Sequence, residues 1–317
     1  MAKKEDVYFE SKDGRTKIHG VKWIPDGTPT CIFQIVHGMA EYAERYEEFA
    51  LFLVSKGFLV VAEDHLGHGK SVANEEGYGF FCIKDASTVL VRDVHHLKKI
   101  IQAEYPAIPY IMLGHSMGSY ILRNYLYQYG TGIQGAIVMG TGTQSGIAVK
   151  FGLALTTLLG KLKGEKYKSI FVNKLVFSSN NKKVENCKTS VDWLSRDGEN
   201  VQKYINDILC GFMFTINGFH TLFKLVEGSQ NKKRLNKIPR ELPILLTSGA
   251  EDPIGNYGKG VAEVYNQYSE AGMTNIKLKI YQEDRHEILN ETDRMTVYED
   301  IYQWVFSACV QREKGDI

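Results

Sequence analysis

Ser116 stands in the run Gly114-His115-Ser116-Met117-Gly118, between the apolar residues 111–113 and a stretch with helical spacing. Glycines on both sides permit a tight strand-to-helix turn that lifts the serine out of a sheet, and N–H groups at the helix start then face its hydroxyl. This setting suits acyl transfer, in which negative charge grows on a carbonyl oxygen and is met by backbone donors. A serine at its ordinary pKa is a poor nucleophile, so it needs a base, and the base needs an orienting acid. Asp252 and His286 fit these roles: each lies just past a later apolar run, residues 243–247 and 276–281, in the chain order serine, acid, histidine. Glu251 is adjacent and competes with Asp252 for the acid role. A second backbone donor is expected from His37-Gly38-Met39-Ala40-Glu41, after the apolar run 31–36, which pairs the N–H of Met39 with that of Met117. His37 is read as a hydrogen-bonding support of that loop. Asp64-His65-Leu66-Gly67-His68-Gly69-Lys70-Ser71 has two histidines beside an aspartate, but its glycines mark a structured turn and no further ligand cluster accompanies it. No metal or other cofactor is expected, because a serine, histidine and acid need only water as the second substrate.

These residues require a sheet to carry them. Residues 7–10 and 17–24 flank the Asp13-Gly14 turn signal and read as an antiparallel edge. From Cys31 onward, short apolar runs alternate with amphipathic helical patterns, as in a buried parallel sheet with crossover helices. The runs are 31–36, 58–62, 109–113, 135–139, 243–247 and 276–281. Helical faces are carried by Phe49, Phe52 and Leu53, by Leu90, Val94, Leu97 and Ile101, and by Ile121, Leu122, Tyr125 and Leu126. Two more run through Val261 and Tyr265 and through Val297, Ile301, Trp304 and Val305. Residues 143–240 break the rhythm: they have no clear strand and read as a helical insertion, with apolar stretches at 147–159 and 208–223. Those stretches suit the lining of an acyl slot, since fatty chains bind by burial at roughly 0.8 kcal/mol per CH₂.

Composition narrows the partners. The 317 residues are 44% hydrophobic and 24% charged, which excludes a disordered chain or a disulfide miniprotein. With 38 Lys plus Arg against 37 Asp plus Glu, there is no global field to concentrate a nucleic acid. Five cysteines, odd in number and never in a C-x-x-C pair, predict reduced and mostly packed thiols. The start MAKKEDVYFE has no apolar h-region, so no secretory signal and a cytoplasmic location are expected. The apolar stretch 208–223 is shorter than the roughly 20 residues that span a bilayer.

His37-Gly38-Met39-Ala40-Glu41, Arg45-Tyr46, residues 64–71, Gly114-His115-Ser116-Met117-Gly118-Ser119 and Arg285-His286-Glu287 together resemble the monoacylglycerol lipase and lysophospholipase branch of the α/β-hydrolases. The resemblance covers residues 5–142 and 241–315 and extends to esterases and serine aminopeptidase-type hydrolases. It implies a mostly parallel eight-stranded sheet flanked by helices, with a core of residues 1–142 and 241–317 and a helical cap of residues 143–240. It also implies Ser116, Asp252 and His286 as the triad and Met39 and Met117 as oxyanion donors. Glu41 and Arg45 are expected at the polar, glycerol-facing end of the pocket or, equally, as an ion pair that pins the loop. The leading expectation is a serine hydrolase of carboxylic esters, acting through an acyl-enzyme on monoacylglycerols or lysophospholipids. Its partner is a small ester or lipid, with transient membrane-surface contact through the cap. The alternatives are a serine aminopeptidase-type peptidase, which needs acidic groups such as Glu185, Asp192 or Glu199 to hold a substrate ammonium, and a noncatalytic binding protein of this fold.

Overall fold

The computed structural model describes residues 3–310. Eight strands form one sheet: β1 (Lys3–Glu10), β2 (Lys17–Ile24), β3 (Cys31–Val36), β4 (Phe58–Glu63), β5 (Tyr110–His115), β6 (Gly135–Met139), β7 (Ile244–Gly249) and β8 (Ile276–Tyr281). Their spatial order is β1-β2-β4-β3-β5-β6-β7-β8. β2 pairs antiparallel with both β1 and β4, and every pairing from β4 through β3 to β8 is parallel. The expected eight strands and antiparallel edge are therefore present.

Strands β3 to β7 are buried along their whole length, as parallel strands with both faces covered must be. Their alternate residues feed two cores. Ile32, Val36, Met112, Val138 and Leu246 point to one face, and Phe33, Ile35, Leu113, Met139 and Leu245 to the other. Helices α1 (Glu47–Ser55) and α10 (Arg294–Val305) cover the second face through Phe49, Leu53, Val297 and Ile301. Helices α2 (Ala86–Glu104), α3 (Met117–Tyr129) and α9 (Lys259–Glu270) cover the first through Leu90, Val94, Ile121, Leu122, Val261 and Val264.

Between β6 and β7 lie α4 (Gly146–Lys163), α5 (Ile170–Phe177), α6 (Gly198–Asn206), α7 (Ile216–Ser229) and α8 (Lys232–Leu235), with no strand among the described residues. They are not a detached unit. Phe219, Leu225 and Val226 of α7 join the same buried cluster as Ile121 and Leu122 of α3, and α7 packs on α2, α3 and α4. Near the loop after α5, Arg196 binds Glu283, Asp284, Glu291 and Asp293 around the turn that follows β8. Cys31 and Cys210 are buried, Cys82 half-buried and Cys187 exposed, so packing accounts for only some of them. The side chain of Cys309 lies outside the described residues. No helix of the described residues is long and apolar enough to cross a membrane.

Candidate active site

Ser116 is the residue between β5 and α3, with φ 53° and ψ −119°. A non-glycine residue held there is strained, and the strain persists only because its surroundings fix it. The two glycines of the pentapeptide show what fixes it. A Cβ on Gly118 would stand 1.9 Å from the carbonyl oxygen of Val36, and one on Gly114 would stand 2.4 Å from that of Gly118. The start of α3 therefore rests directly on the end of β3, and Ser116 N–H donates to Met139 O at 3.0 Å. All the candidate groups lie beyond the carboxyl ends of parallel strands, where a doubly wound sheet opens its crevice.

Asp252 follows β7 and is fully buried; His286 follows β8 and is 2% exposed. His286 Nδ1 donates to Asp252 Oδ1 at 2.9 Å. Asp252 also accepts from Ser248 Oγ at 2.8 Å and from Ile254 N–H at 2.8 Å. Burial pushes the Asp252 pKa up, but the His286 imidazole and these donors outweigh it and hold the carboxyl below its ordinary value. The Asp252 carboxylate thereby fixes the orientation of the His286 ring through Nδ1. Glu251 is exposed and points to Arg285 at 3.6 Å, so the two adjacent acids are clearly separated.

In the loop after β3, Gly38 N–H donates to Glu41 Oε1 at 2.5 Å and Ala40 N–H to His68 Nε2 at 3.3 Å. The amide of Met39 lies between these two committed donors, and that of Met117 opens α3. Neither donates a hydrogen bond among the described residues. The rings of His37 and His65 lie 4.0 Å apart under this loop, tilted by 32°, and His37 Nε2 accepts from His65 N–H at 3.0 Å. Burial pushes the pKa of His37 down to about 4 and that of His68 down to about 3, so both are neutral supports. Asp64 meanwhile accepts from His19 Nδ1, Ala43 N–H and Lys70 N–H and closes the Gly-rich turn. No group of three His, Cys, Asp or Glu among the described residues is arranged to hold a metal.

Glu41 and Arg45 belong to a larger buried cluster. Glu41 accepts from Gly38 N–H, from Tyr46 Oη at 2.8 Å and from Arg45 Nη1 at 2.8 Å. Arg45 forks both nitrogens onto Glu287, each at 2.9 Å, and lies 4.9 Å over the Tyr204 ring. His115 contacts Tyr46 Oη through Nδ1 and His286 O through Nε2 at 3.2 Å. The loop after β3, the residue before Ser116 and the residue after His286 are thus tied together. Sequence reading assigned no role to Glu287, His115, Tyr46, Tyr204 or Ser248; a charge pairing across 242 positions leaves no local signal.

One cavity of about 580 Å³ is lined by Ser116, His286, Met39, Met117 and Glu41. Its walls are Val149 and Phe151 of α4, Leu175 and Phe177 of α5, and Leu222 and Phe223 of α7. The Trp193 ring lies 5.0 Å from that of His286, tilted by 41°, and the Trp193 carbonyl accepts from His286 N–H. Arg45 does not line this cavity; it lies behind Glu41. The aromatic stretch 208–223 divides: Phe214 and Phe219 are fully buried in the core, whereas Phe212, Leu222 and Phe223 face the cavity.

The family described as serine aminopeptidase, S33, matches residues 27–293. The monoglyceride lipase homolog of monkeypox virus is 28% identical over 292 residues, covering 90% of this chain and 92% of its own. The monoacylglycerol lipase of Mycolicibacterium smegmatis is also 28% identical, over 286 residues, covering 90% of this chain and 91% of its own. The crystal structure of a thermostable carboxyl esterase from Bacillus coagulans, in complex with glycerol, superposes with a TM-score of 0.90 at 32% identity, over 97% of this chain and 99% of that one. With the sheet order, the strained serine and the family match in agreement, this chain belongs to the serine aminopeptidase, S33, family of α/β-hydrolases.

Proposed function

We propose that this protein is a serine hydrolase of carboxylic esters with a fatty acyl chain, monoacylglycerols or lysophospholipids, acting through an acyl-enzyme on Ser116. The observation that carries the reading is the single cavity in which Ser116 and His286 meet walls of Val149, Phe151, Leu175, Phe177, Leu222 and Phe223. Its size lies in the range of small-molecule sites, roughly 300–1,000 Å³. The lipase and esterase relatives support the same class.

In this reading His286 Nε2 takes the proton of Ser116 Oγ as the oxygen attacks the ester carbonyl carbon. The carbonyl oxygen gains the negative charge and accepts from the N–H groups of Met39 and Met117. Collapse breaks the bond to the alcohol oxygen, which leaves with the proton from His286. Water then repeats the sequence on the acyl-enzyme and releases the fatty acid. Asp252 stays ionised and stabilises the imidazolium in both halves. Residues 143–240 act as the cap that supplies the acyl wall, over a core of residues 1–142 and 241–317.

The aminopeptidase reading lacks a group to bind an ammonium. Glu185, Asp192 and Glu199 do not line the cavity, and its two carboxylates, Glu41 and Glu287, are both spent on Arg45. A fluorophosphonate should label the wild-type chain and not Ser116→Ala, with ester turnover falling by at least about 10³-fold. Among p-nitrophenyl esters from acetate to palmitate, kcat/KM should rise beyond acetate; a strict acetate preference, or labelling that survives the substitution, overturns the proposal.

A further inference from the structure

The loop after β8 places five acids around His286: Glu283, Asp284, Glu287, Glu291 and Asp293. Glu287 is neutralised by Arg45. The other four all bind one residue, Arg196, which belongs to the insertion. Its Nη2 donates to Asp284 Oδ1 at 2.7 Å and to Asp293 Oδ1 at 3.0 Å, and its Nη1 to Glu283 Oε2 at 2.8 Å. Its Nε and its backbone N–H both donate to Glu291, at 3.3 Å and 3.0 Å. Asp284 is 1% exposed and Glu291 fully buried, so water does little to screen their charge. Burial pushes the pKa of both carboxyls up, and Arg196 opposes the shift in each. Removing the cation from such a cluster leaves buried charge without a partner, which is strongly unfavourable.

Asp284 is also where the loop of the candidate acid meets the loop of the candidate base. Its carbonyl accepts from Glu251 N–H at 2.9 Å, beside Asp252, and a Cβ on Gly249 would stand 2.0 Å from the same oxygen. The backbone of Asp284 thus rests on the end of β7 while its side chain is held by Arg196. The insertion grips the histidine from the same direction. Trp193 O accepts from His286 N–H at 3.4 Å, and Leu194 O from Glu287 N–H at 2.7 Å. In return Arg285 Nη1 donates to Asp192 O at 2.8 Å and to Ser195 O at 3.1 Å. A segment that only covered the cavity would have no need to hold the backbone on both sides of the base.

We propose that Arg196 is a positioning residue for His286: by gathering Asp284 and Glu291 it holds the loop after β8 against the loop of Asp252, and residues 192–196 of the insertion belong to the scaffold of the reacting groups. Arg196 does not line the cavity that holds Ser116, so its effect passes through Asp284 and the backbone of the histidine loop. This deepens the serine hydrolase reading and rests on it for the chemistry that His286 performs. Small misplacements of a base cost rate more than they cost binding, and this separates the role of Arg196 from that of the apolar walls.

The test compares full-length wild type, Arg196→Ala and Arg196→Lys by the rate of fluorophosphonate labelling and by kcat and KM for a p-nitrophenyl ester, with urea unfolding to establish that each is folded. Arg196→Ala should label and turn over about 10- to 100-fold more slowly, with KM within about threefold of wild type. Arg196→Lys keeps the charge and loses the planar fork, so it should recover part of that loss. A folded Arg196→Ala that has a lower urea midpoint but wild-type labelling and kcat makes Arg196 merely structural and overturns the proposal. So does a loss confined to KM, which would make Arg196 a support of the substrate walls. Should Arg196→Ala fail to fold, Arg196→Lys decides alone: a fall in labelling and kcat at constant KM supports the proposal, and wild-type values for both overturn it. A wild-type chain that neither labels nor turns over an ester would sink the hydrolase reading itself, whereas equal labelling of all three proteins removes only the positioning role.

Discussion

Arg45 is not itself a lining residue of the candidate cavity, yet it bonds to Glu41 and Glu287, which are, and so holds the loop after β3 against the loop after β8. Its guanidinium forks onto Glu287, beside His286, and one of the same nitrogens reaches Glu41, which accepts from Gly38 N–H beside Met39, the proposed oxyanion donor. A lysine supplies one compact ammonium and no planar fork, and it would lose the stacking over Tyr204. For Arg45→Lys the expected outcome is a fall in kcat of about 10- to 100-fold, with KM for a glycerol ester changed by less than about threefold, because small misplacements of reacting groups are costly. Steady-state kinetics decide between the two roles: a raised KM at unchanged kcat would make Arg45 a contact of the alcohol group instead of a clamp. Burial opposes the charge on Glu41 and on Glu287, but each is held below the ordinary carboxylate range, by His115 and Arg45 for Glu41 and by Arg45 for Glu287. The clamp therefore stays ionised throughout the neutral range and contributes stability that is lost only as pH falls through those depressed values.

At the scale of elements, the elbow is an intersection of β3, β5 and α3 that leaves no room for a side chain at residue 118. Gly118→Ala must either move α3 off the Val36 carbonyl or bend β3, and overpacking of this kind costs about 1–3 kcal/mol or more. The expected result is a lowered midpoint in urea unfolding together with loss of fluorophosphonate labelling; a variant with wild-type labelling would show that the close approach is dispensable. The elbow and its strands were legible because their signals are local: short apolar runs, glycines at fixed offsets, and apolar spacing that switches from two to about 3.6. The order of Ser116, Asp252 and His286 was legible because each sits just past a strand. What was not legible depends on pairing across the fold. Glu287 reads as one more charged residue until β8 and the helical turn before α1 bring it to Arg45. Phe214 and Phe223 look alike in sequence, and only the placement of α7 sends one to the core and the other to the cavity.

Over the whole molecule, the sheet carries a polar thread through its first apolar core. Gln34 on β3 accepts from Tyr110 Oη at 2.7 Å and donates through Nε2 to Glu63 Oε2 at 3.1 Å. Glu63 ends β4 and is fully buried; its other oxygen has no hydrogen bond and lies 3.8 Å from His65 Nδ1, which also has none. Desolvation pushes the Glu63 pKa up to about 8, so the folded protein keeps this carboxyl protonated at neutral pH. In the unfolded chain the same group ionises near 4.3. Between these values the folded state binds the extra proton, so its contribution to stability is complete below about pH 4 and is lost as pH rises through about 8. Glu63→Gln removes the titration while keeping the size of the group and an acceptor for Gln34. Each pH unit within the window is worth up to about 1.4 kcal/mol, so from pH 6 to pH 8 the wild-type chain should lose about 2 kcal/mol more unfolding free energy than the variant. Urea unfolding of both proteins at pH 6, 7 and 8 measures the difference directly, and groups that titrate equally in both cancel. Parallel pH profiles would mean that Glu63 is ionised in the folded protein, with the His65 imidazole protonated beside it, and the thread would then be an ion pair instead of a neutral hydrogen-bonded chain.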